Sequence, residues 1–250
     1  MDIEAHALIT IPYDDTGIPA YLAAKPGQAV RPGLILIHEV WGLDSHIKDV
    51  ANRLCEEGYE VIAPDLLAGT DAAEVVKPEL AKAMFDPEER ANRQVELRAM
   101  MTPFGSPYFA EQTIAKLQGC FEYLVKKPII AKIGVMGFCF GGTYSFNMAI
   151  NQSKLAGAVA FYGHADHSDE EISKINCPVL AFYGDQDTSL TDKLPQLKSQ
   201  MEKAGKDFKF KIYPGAKHAF FNNTNPLTYN ASAAQDAWQQ TLAFLNERLK

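Results

Sequence analysis

The chain reads as an α/β protein built on a mainly parallel central sheet with helices on both faces. Short apolar runs alternate with amphipathic helical segments along its length, the order that builds parallel sheets from crossover units. Leu34-Ile35-Leu36-Ile37 and Val61-Ile62-Ala63 flank a helical pattern over about 45–57 that Gly58 can terminate, which makes one strand–helix–strand unit. A glycine-rich turn joins a later apolar strand directly to a helix.

In chain order, residues 7–11 and 19–24 are amphipathic strands suited to an antiparallel edge, and 34–37 and 61–63 are the first central strands. A charged, mostly helical excursion follows over about 67–127, part of it covering a crossover and part overhanging a site. Strands resume at 133–136, 158–161, 179–182 and 208–213, and a helix over 231–249 ends the chain. Apolar residues make up 47% of the 250, with 14 Phe and 10 Tyr, enough for one substantial core. A single domain over 1–250 is expected.

The formal charge of −7, without a Lys/Arg run, argues against nucleic acid as a partner. The acidic start Met1-Asp2-Ile3-Glu4 lacks the features of a signal peptide, and no apolar run is long enough to span a bilayer, so a cytoplasmic protein with no membrane partner is expected. Cys55, Cys120, Cys139 and Cys177 form no C-x-x-C pair, so neither a disulfide framework nor a zinc site is indicated.

Gly137-Phe138-Cys139-Phe140-Gly141-Gly142 is the most specific motif, a G-x-nucleophile-x-G elbow between strand and helix. So sharp a turn needs small residues two positions either side of the nucleophile, here Gly137 and Gly141. It sets the thiol above a helix N-terminus, whose free N–H groups favour a thiolate. Cys139 is the candidate nucleophile, and the other cysteines read as packing residues.

In α/β-hydrolases the acid and then the histidine follow the nucleophile, each on a loop after a later strand. Tyr183-Gly184-Asp185-Gln186-Asp187 and Pro214-Gly215-Ala216-Lys217-His218 occupy those places. His218 is the candidate base and Asp187 its orienting acid. Asp185 competes, although its place close to the strand end suits it better to turn N–H groups. His164 and His167 lack a recognised metal-ligand spacing and read as loop or substrate-facing residues, and His6 and His46 carry no pattern.

Together with the elbow and its cysteine, Ile37-His38-Glu39-Val40-Trp41-Gly42, Val61-Ile62-Ala63-Pro64-Asp65-Leu66, Gly184-Asp185-Gln186-Asp187 and Gly215-Ala216-Lys217-His218-Ala219-Phe220 resemble the dienelactone hydrolase family over most of the chain. The resemblance implies an α/β-hydrolase fold, and Glu39 beside the cysteine, able to accept the thiol proton when substrate binding rearranges the site. The backbone N–H groups of Val40 and Phe140 form the expected oxyanion hole. His38 could orient Glu39 or serve packing.

The chain departs from the family at Asn222, where an arginine that binds the substrate carboxylate is expected. The resemblance implies a second substrate-binding arginine in the excursion, for which Arg90 and Arg93 are the candidates. Loss of a bidentate cation weakens recognition of an anionic lactone. Trp41 and Phe138 adjoin the motifs and are candidate pocket walls. The expected activity is hydrolysis of a small ester or lactone through an acyl-enzyme. The alternatives are acyl transfer or thioester hydrolysis on the same groups, and a non-catalytic ligand-binding or thiol redox-sensing protein. The glycine-rich turn lacks dinucleotide spacing, and no cofactor or metal is expected.

Overall fold

Eight strands form one sheet in the computed structural model, which describes residues 6–25, 27, 30–77 and 79–250; the acidic start 1–4 lies outside the described residues. The strands are β1 (His6–Ile11), β2 (Ile18–Ala23), β3 (Arg31–Ile37), β4 (Glu60–Pro64), β5 (Ile130–Phe138), β6 (Gly157–Phe161), β7 (Val179–Gly184) and β8 (Phe208–Tyr213), in the spatial order β1-β2-β4-β3-β5-β6-β7-β8. β1 pairs antiparallel with β2, and β2 with β4; all other pairings are parallel. The apolar runs of β3, β4 and β6 are buried on both sides, as central parallel strands require. The edge strand β8 alternates and carries Lys209 and Lys211, which discourage further pairing.

The parallel register gathers the loops that matter. Ile37 lies opposite Gly137, Phe138 opposite Phe161, Phe161 opposite Phe182, and Gly184 opposite Tyr213. The segments after β3, β5, β6, β7 and β8 therefore leave the sheet at one edge. β4 flanks β3 on one side and β5 on the other, so the order reverses at β3, where open α/β sheets leave a crevice.

Helices cover both faces. Gly33 and Gly134 belong to neighbouring strands one step out of phase, so they face opposite sides; a side chain on Gly33 would meet Leu124 of helix Pro107–Val125, and one on Gly134 would meet Leu249 of helix Ala231–Leu249. Helix Ser45–Glu56 joins the Ala231–Leu249 layer, with Arg53 4.1 Å above the Trp238 ring. Asp44 caps this helix by accepting from Ile47 N–H at 3.0 Å, and Gly58, at φ +95°, ends it. The Phe140–Asn151 helix is buried along nine of its residues beneath β5 and β6.

Between β4 and β5 the excursion consists of helices Asp71–Val75, Leu80–Phe85, Pro87–Asn92 and Gln94–Met101, a 3₁₀ turn Pro103–Gly105, and helix Pro107–Val125. Proline opens the Pro87–Asn92 and Pro107–Val125 helices, where its missing N–H costs nothing. Leu80, Ala83, Leu97 and Met100 form a small apolar cluster of their own against Trp41. Among the described residues no helix is long and apolar enough to cross a membrane.

At the opposite edge from the site, Glu60 is buried with its carboxylate between Arg31, at 3.0 Å, and Lys127. Removing one partner of a buried ion pair leaves the rest uncompensated. Glu60→Ala is expected to lower the unfolding free energy by about 3 kcal/mol, read from urea denaturation; a loss under about 1 kcal/mol would show that Arg31 finds water instead.

Candidate active site

The elbow is closed by contacts that leave no room for a side chain. A Cβ on Gly137 would lie 2.1 Å from the Gly141 carbonyl oxygen, and one on Gly141 would lie 2.2 Å from that of Ile37. The turn drives Cys139 to φ +54° and presents it half-buried at the start of the Phe140–Asn151 helix. Gly141 N–H donates to the His38 carbonyl at 3.1 Å and Cys139 N–H to that of Phe161 at 2.9 Å, which pins the elbow to the segment after β3 and to the end of β6. Val40 and Phe140 lie on the two segments so joined. Phe140 opens its helix, where first-turn N–H groups have no intrahelical acceptor.

Cys139, Tyr162 and Ala219 are the non-glycine residues with positive φ among the described residues, and all three border this edge. Strain of this kind persists only where the surroundings enforce it. The remaining cysteines differ: Cys55, Cys120 and Cys177 are buried, and burial pushes the thiols of Cys120 and Cys177 up to about 12 and about 11.

His218 and Asp187 meet as their loops require. His218 Nδ1 lies 2.5 Å from Asp187 Oδ2. Cys139 is near enough to the same ring to act on its protonation. Burial works against a charged imidazole, but Cys139 and the hydrogen bond and charge of Asp187 together raise it to about 10. Burial likewise opposes the Asp187 carboxylate, yet the hydrogen bond and charge of His218, with Ser189 Oγ donating at 2.9 Å, hold it below its usual range. Asp185 points elsewhere: it is exposed and accepts from Gly215 N–H at 2.8 Å, bracing the β8 loop against the β7 loop.

Glu39 is buried and held at both oxygens, with Tyr162 Oη donating to Oε1 at 3.2 Å and Asn222 Nδ2 to Oε2 at 2.8 Å. Burial raises its carboxyl above the usual range, against the charges of His46 and His218 and the Asn222 bond. The Tyr162 ring lies 5.0 Å from that of His218, which joins the Glu39 group to the Cys139 group. His38 serves the backbone rather than the Glu39 carboxylate: its Nδ1 is 2.5 Å from the Glu39 carbonyl, and its Nε2 accepts from Leu66 N–H at 3.1 Å.

The candidate substrate contacts divide. Trp41 and Asn222 border one cavity of about 450 Å³, with Ala81, Pro226 and Leu227 among its walls. Phe138 does not line it: the ring is fully buried, 4.7 Å from Phe161 and 5.1 Å from Phe221. Its place in β5, one residue before the turn, directs it into the core. The Arg93 guanidinium is taken by Glu96, at 2.6 Å, and by the Glu79 carbonyl. Arg90 borders a separate hollow with Met84, Gln94 and Arg98. Neither arginine is brought to Cys139 or His218.

The excursion does reach the site, through Phe85, whose ring lies 6.4 Å from that of His218 and nearly parallel to it. His164 is exposed beside Asp166, and no cluster of metal-binding side chains occurs among the described residues. The sequence reading missed Tyr162, Ser189 and Phe85. Tyr162 was within reach, because it directly follows β6 at the edge where Cys139, Asp187 and His218 sit.

His218 is expected to stay protonated through neutral pH, its charge persisting below about 10 and lost above, as followed by NMR of the ring. Asp187→Asn removes a stabilising charge and lowers that midpoint by about one unit or more. A ring that titrates near 6.5 in both proteins would show that the three groups are not coupled.

Residues 18–249 match the sequence profile of the Dienelactone hydrolase family. A protein of Saccharolobus solfataricus named "Putative carboxymethylenebutenolidase" is 34% identical, the match covering 93% of this chain and 96% of that one. The crystal structure titled "Putative Dienelactone Hydrolase" from Klebsiella pneumoniae superposes with a TM-score of 0.78 at 26% identity, covering 95% of this chain and 96% of that one. The dienelactone hydrolase of Anabaena variabilis, at 17% identity, TM-score 0.70 and 98% coverage of each chain, shares the fold.

Proposed function

The chain belongs to the dienelactone hydrolase family and is a hydrolase, and on that premise we propose that it cleaves a carboxylic ester or lactone through Cys139 and a covalent acyl-enzyme. The observation that carries this reading is the meeting of three loops: a strained, half-exposed cysteine against a histidine that is fixed at 2.5 Å by a buried aspartate. All 250 residues are read as one α/β-hydrolase domain.

In this reading the Cys139 thiolate attacks the substrate carbonyl carbon, and the N–H groups of Val40 and Phe140 hold the developing oxyanion. The tetrahedral species collapses, breaking the bond to the leaving oxygen, which takes a proton from His218. Neutral His218 then removes a proton from water, the hydroxide attacks the thioester, and the C–S bond breaks to release the acid and regenerate the thiolate. Asp187 holds the ring in the needed tautomer and stabilises its charged form. That thiolate forms when substrate binding disturbs the Glu39 bonds to Tyr162 and Asn222: the Cys139 S–H bond breaks, Glu39 takes the proton, and it returns the proton to the sulfur once the acid has left.

The same site favours an uncharged substrate. Asn222 stands where the family places a cation, and its amide N–H is spent on Glu39. The cavity beside it is walled by Trp41, Ala81, Pro226 and Leu227, and the lysine on its border, Lys82, is 2.9 Å from Glu89.

Cys139→Ala is expected to lose at least about a thousandfold in kcat/KM on aryl esters while remaining folded; hydrolysis that survives in the variant would refute the cysteine mechanism. In the unaltered protein, a neutral ester is expected to exceed a carboxylate-bearing enol-lactone by about tenfold or more in kcat/KM, the scale of one absent charge-assisted pair. Preference for the anionic lactone would contradict the reading of Asn222.

A further inference from the structure

A separate cavity of about 480 Å³ lies between helix Pro107–Val125, the turn joining β1 to β2, and the segment after β4. It shares no wall residue with the cavity beside Trp41 and Asn222, and neither Cys139 nor His218 borders it.

Tyr108, Gln112 and Lys116 line it at successive four-residue steps, so they form one stripe along a single helix face, about 12 Å long. Tyr108 is 70% exposed, whereas Gln112 and Lys116 are half-buried, and the stripe therefore runs from an aromatic mouth to a basic floor. Gly119 follows Lys116 on the same helix. Glycine inside a helix is destabilising, but here it makes room: a Cβ on Gly119 would lie 2.6 Å from Cδ2 of the Tyr13 ring. Tyr13 is thereby seated as a wall at the Lys116 end.

Lys116 is the one cation on these walls, and its charge is incompletely matched. Its Nζ donates to the Ala68 carbonyl at 2.9 Å and to that of Leu66 at 3.5 Å, and its third N–H has no acceptor among the described residues. The nearby carboxylates are engaged elsewhere: Asp65 Oδ1 accepts from the Leu67 and Ala68 N–H groups, and Asp14 Oδ1 from those of Thr16 and Gly17. Burial pushes the ammonium down, against the charges of Asp65 and Asp14. Charges taken out of water are ordinarily paired. The two acids on the walls, Asp14 and Asp71, are exposed, where water screens them, while Lys116 acts in the drier interior.

We propose that this cavity binds a small, elongated organic carboxylate with a flat apolar body. The carboxylate accepts the free N–H of Lys116, the body lies along Gln112 beside Phe109, and the far end reaches the Tyr108 ring at the mouth. A single half-buried ammonium calls for a single anion, with a charge-assisted hydrogen bond. Tyr13, Phe109, Pro19 and Pro103 supply the surface that a planar group covers. The site stands independently of the chemistry at Cys139.

The test is backbone amide NMR of the full chain titrated with cinnamate, with its neutral amide, cinnamamide, and with inorganic phosphate. Cinnamate is expected to give saturable shifts at Ala68, Gln112 and Lys116, with cinnamamide at least about tenfold weaker. Lys116→Met should weaken cinnamate by about the same factor. Tyr108→Ala, at an exposed position whose loss leaves the core intact, should weaken it by about threefold, and it keeps the test open should Lys116→Met fail to fold.

Three results overturn the proposal. Shifts confined to Trp41, Asn222 and their neighbours would place the carboxylate at the catalytic edge. Phosphate binding as tightly as cinnamate at the same amides would reduce the site to one for a bare ion. No saturation by about 10 mM cinnamate would leave Lys116 as a staple for the Ala68 and Leu66 carbonyls alone.

Discussion

The close approach of the elbow to its two neighbouring strands is the constraint on which the rest of the site depends. Gly137, Gly141, Gly142 and Gly163 stand where an added Cβ would fall between 2.1 and 2.4 Å from backbone atoms. That contact forces Cys139 into a positive φ, frees it from the sheet, and ties the elbow by backbone hydrogen bonds to the segment after β3 and to the end of β6. The same tight packing recurs at the acid loop, where a Cβ on Gly184 would lie 2.3 Å from the Ala216 carbonyl oxygen. The loops bearing Asp187 and His218 are locked together by that packing and by Asp185. Packing sets the positions, and electrostatics then sets the charges.

Two charge systems share this edge. In one, Cys139 and Asp187 outweigh burial and raise the His218 imidazole. In the other, burial dominates, and Glu39 is raised despite two hydrogen bonds and the neighbouring imidazoles. The Tyr162 ring lies between them, donating to Glu39 while packing on His218. In the proposed reaction this division suits His218 to staying protonated beside the thiolate as it forms and Glu39 to taking the thiol proton only on demand.

The sheet was legible because its central strands are continuous apolar runs, and the loops were legible because strand ends in a parallel sheet share one edge. Asp187 was separable from Asp185 by its distance from the strand end, a local geometric fact. What the sequence hid was the direction of side chains and the identity of distant partners. Phe138 looks the same whether its ring faces a pocket or the core. Asn222 lies 183 residues from Glu39, and nothing local signals that its amide is engaged there. Arg90 and Arg93 sit among short helices whose mutual packing no periodicity sets. Glu60 starts a strand, where a charge reads as exposed, and only the fold shows that Arg31 and Lys127 bury it.

The central claim is a covalent bond between Cys139 and the acyl group of the substrate. It is tested most directly by acid-quenching the protein within milliseconds of mixing with an activated neutral ester and mapping the acyl mass by peptide mass spectrometry. A thioester on the peptide bearing Cys139, formed and lost at rates that match turnover, is the expected result. Turnover with no acyl mass on Cys139, or with the acyl group on another residue, would contradict the mechanism.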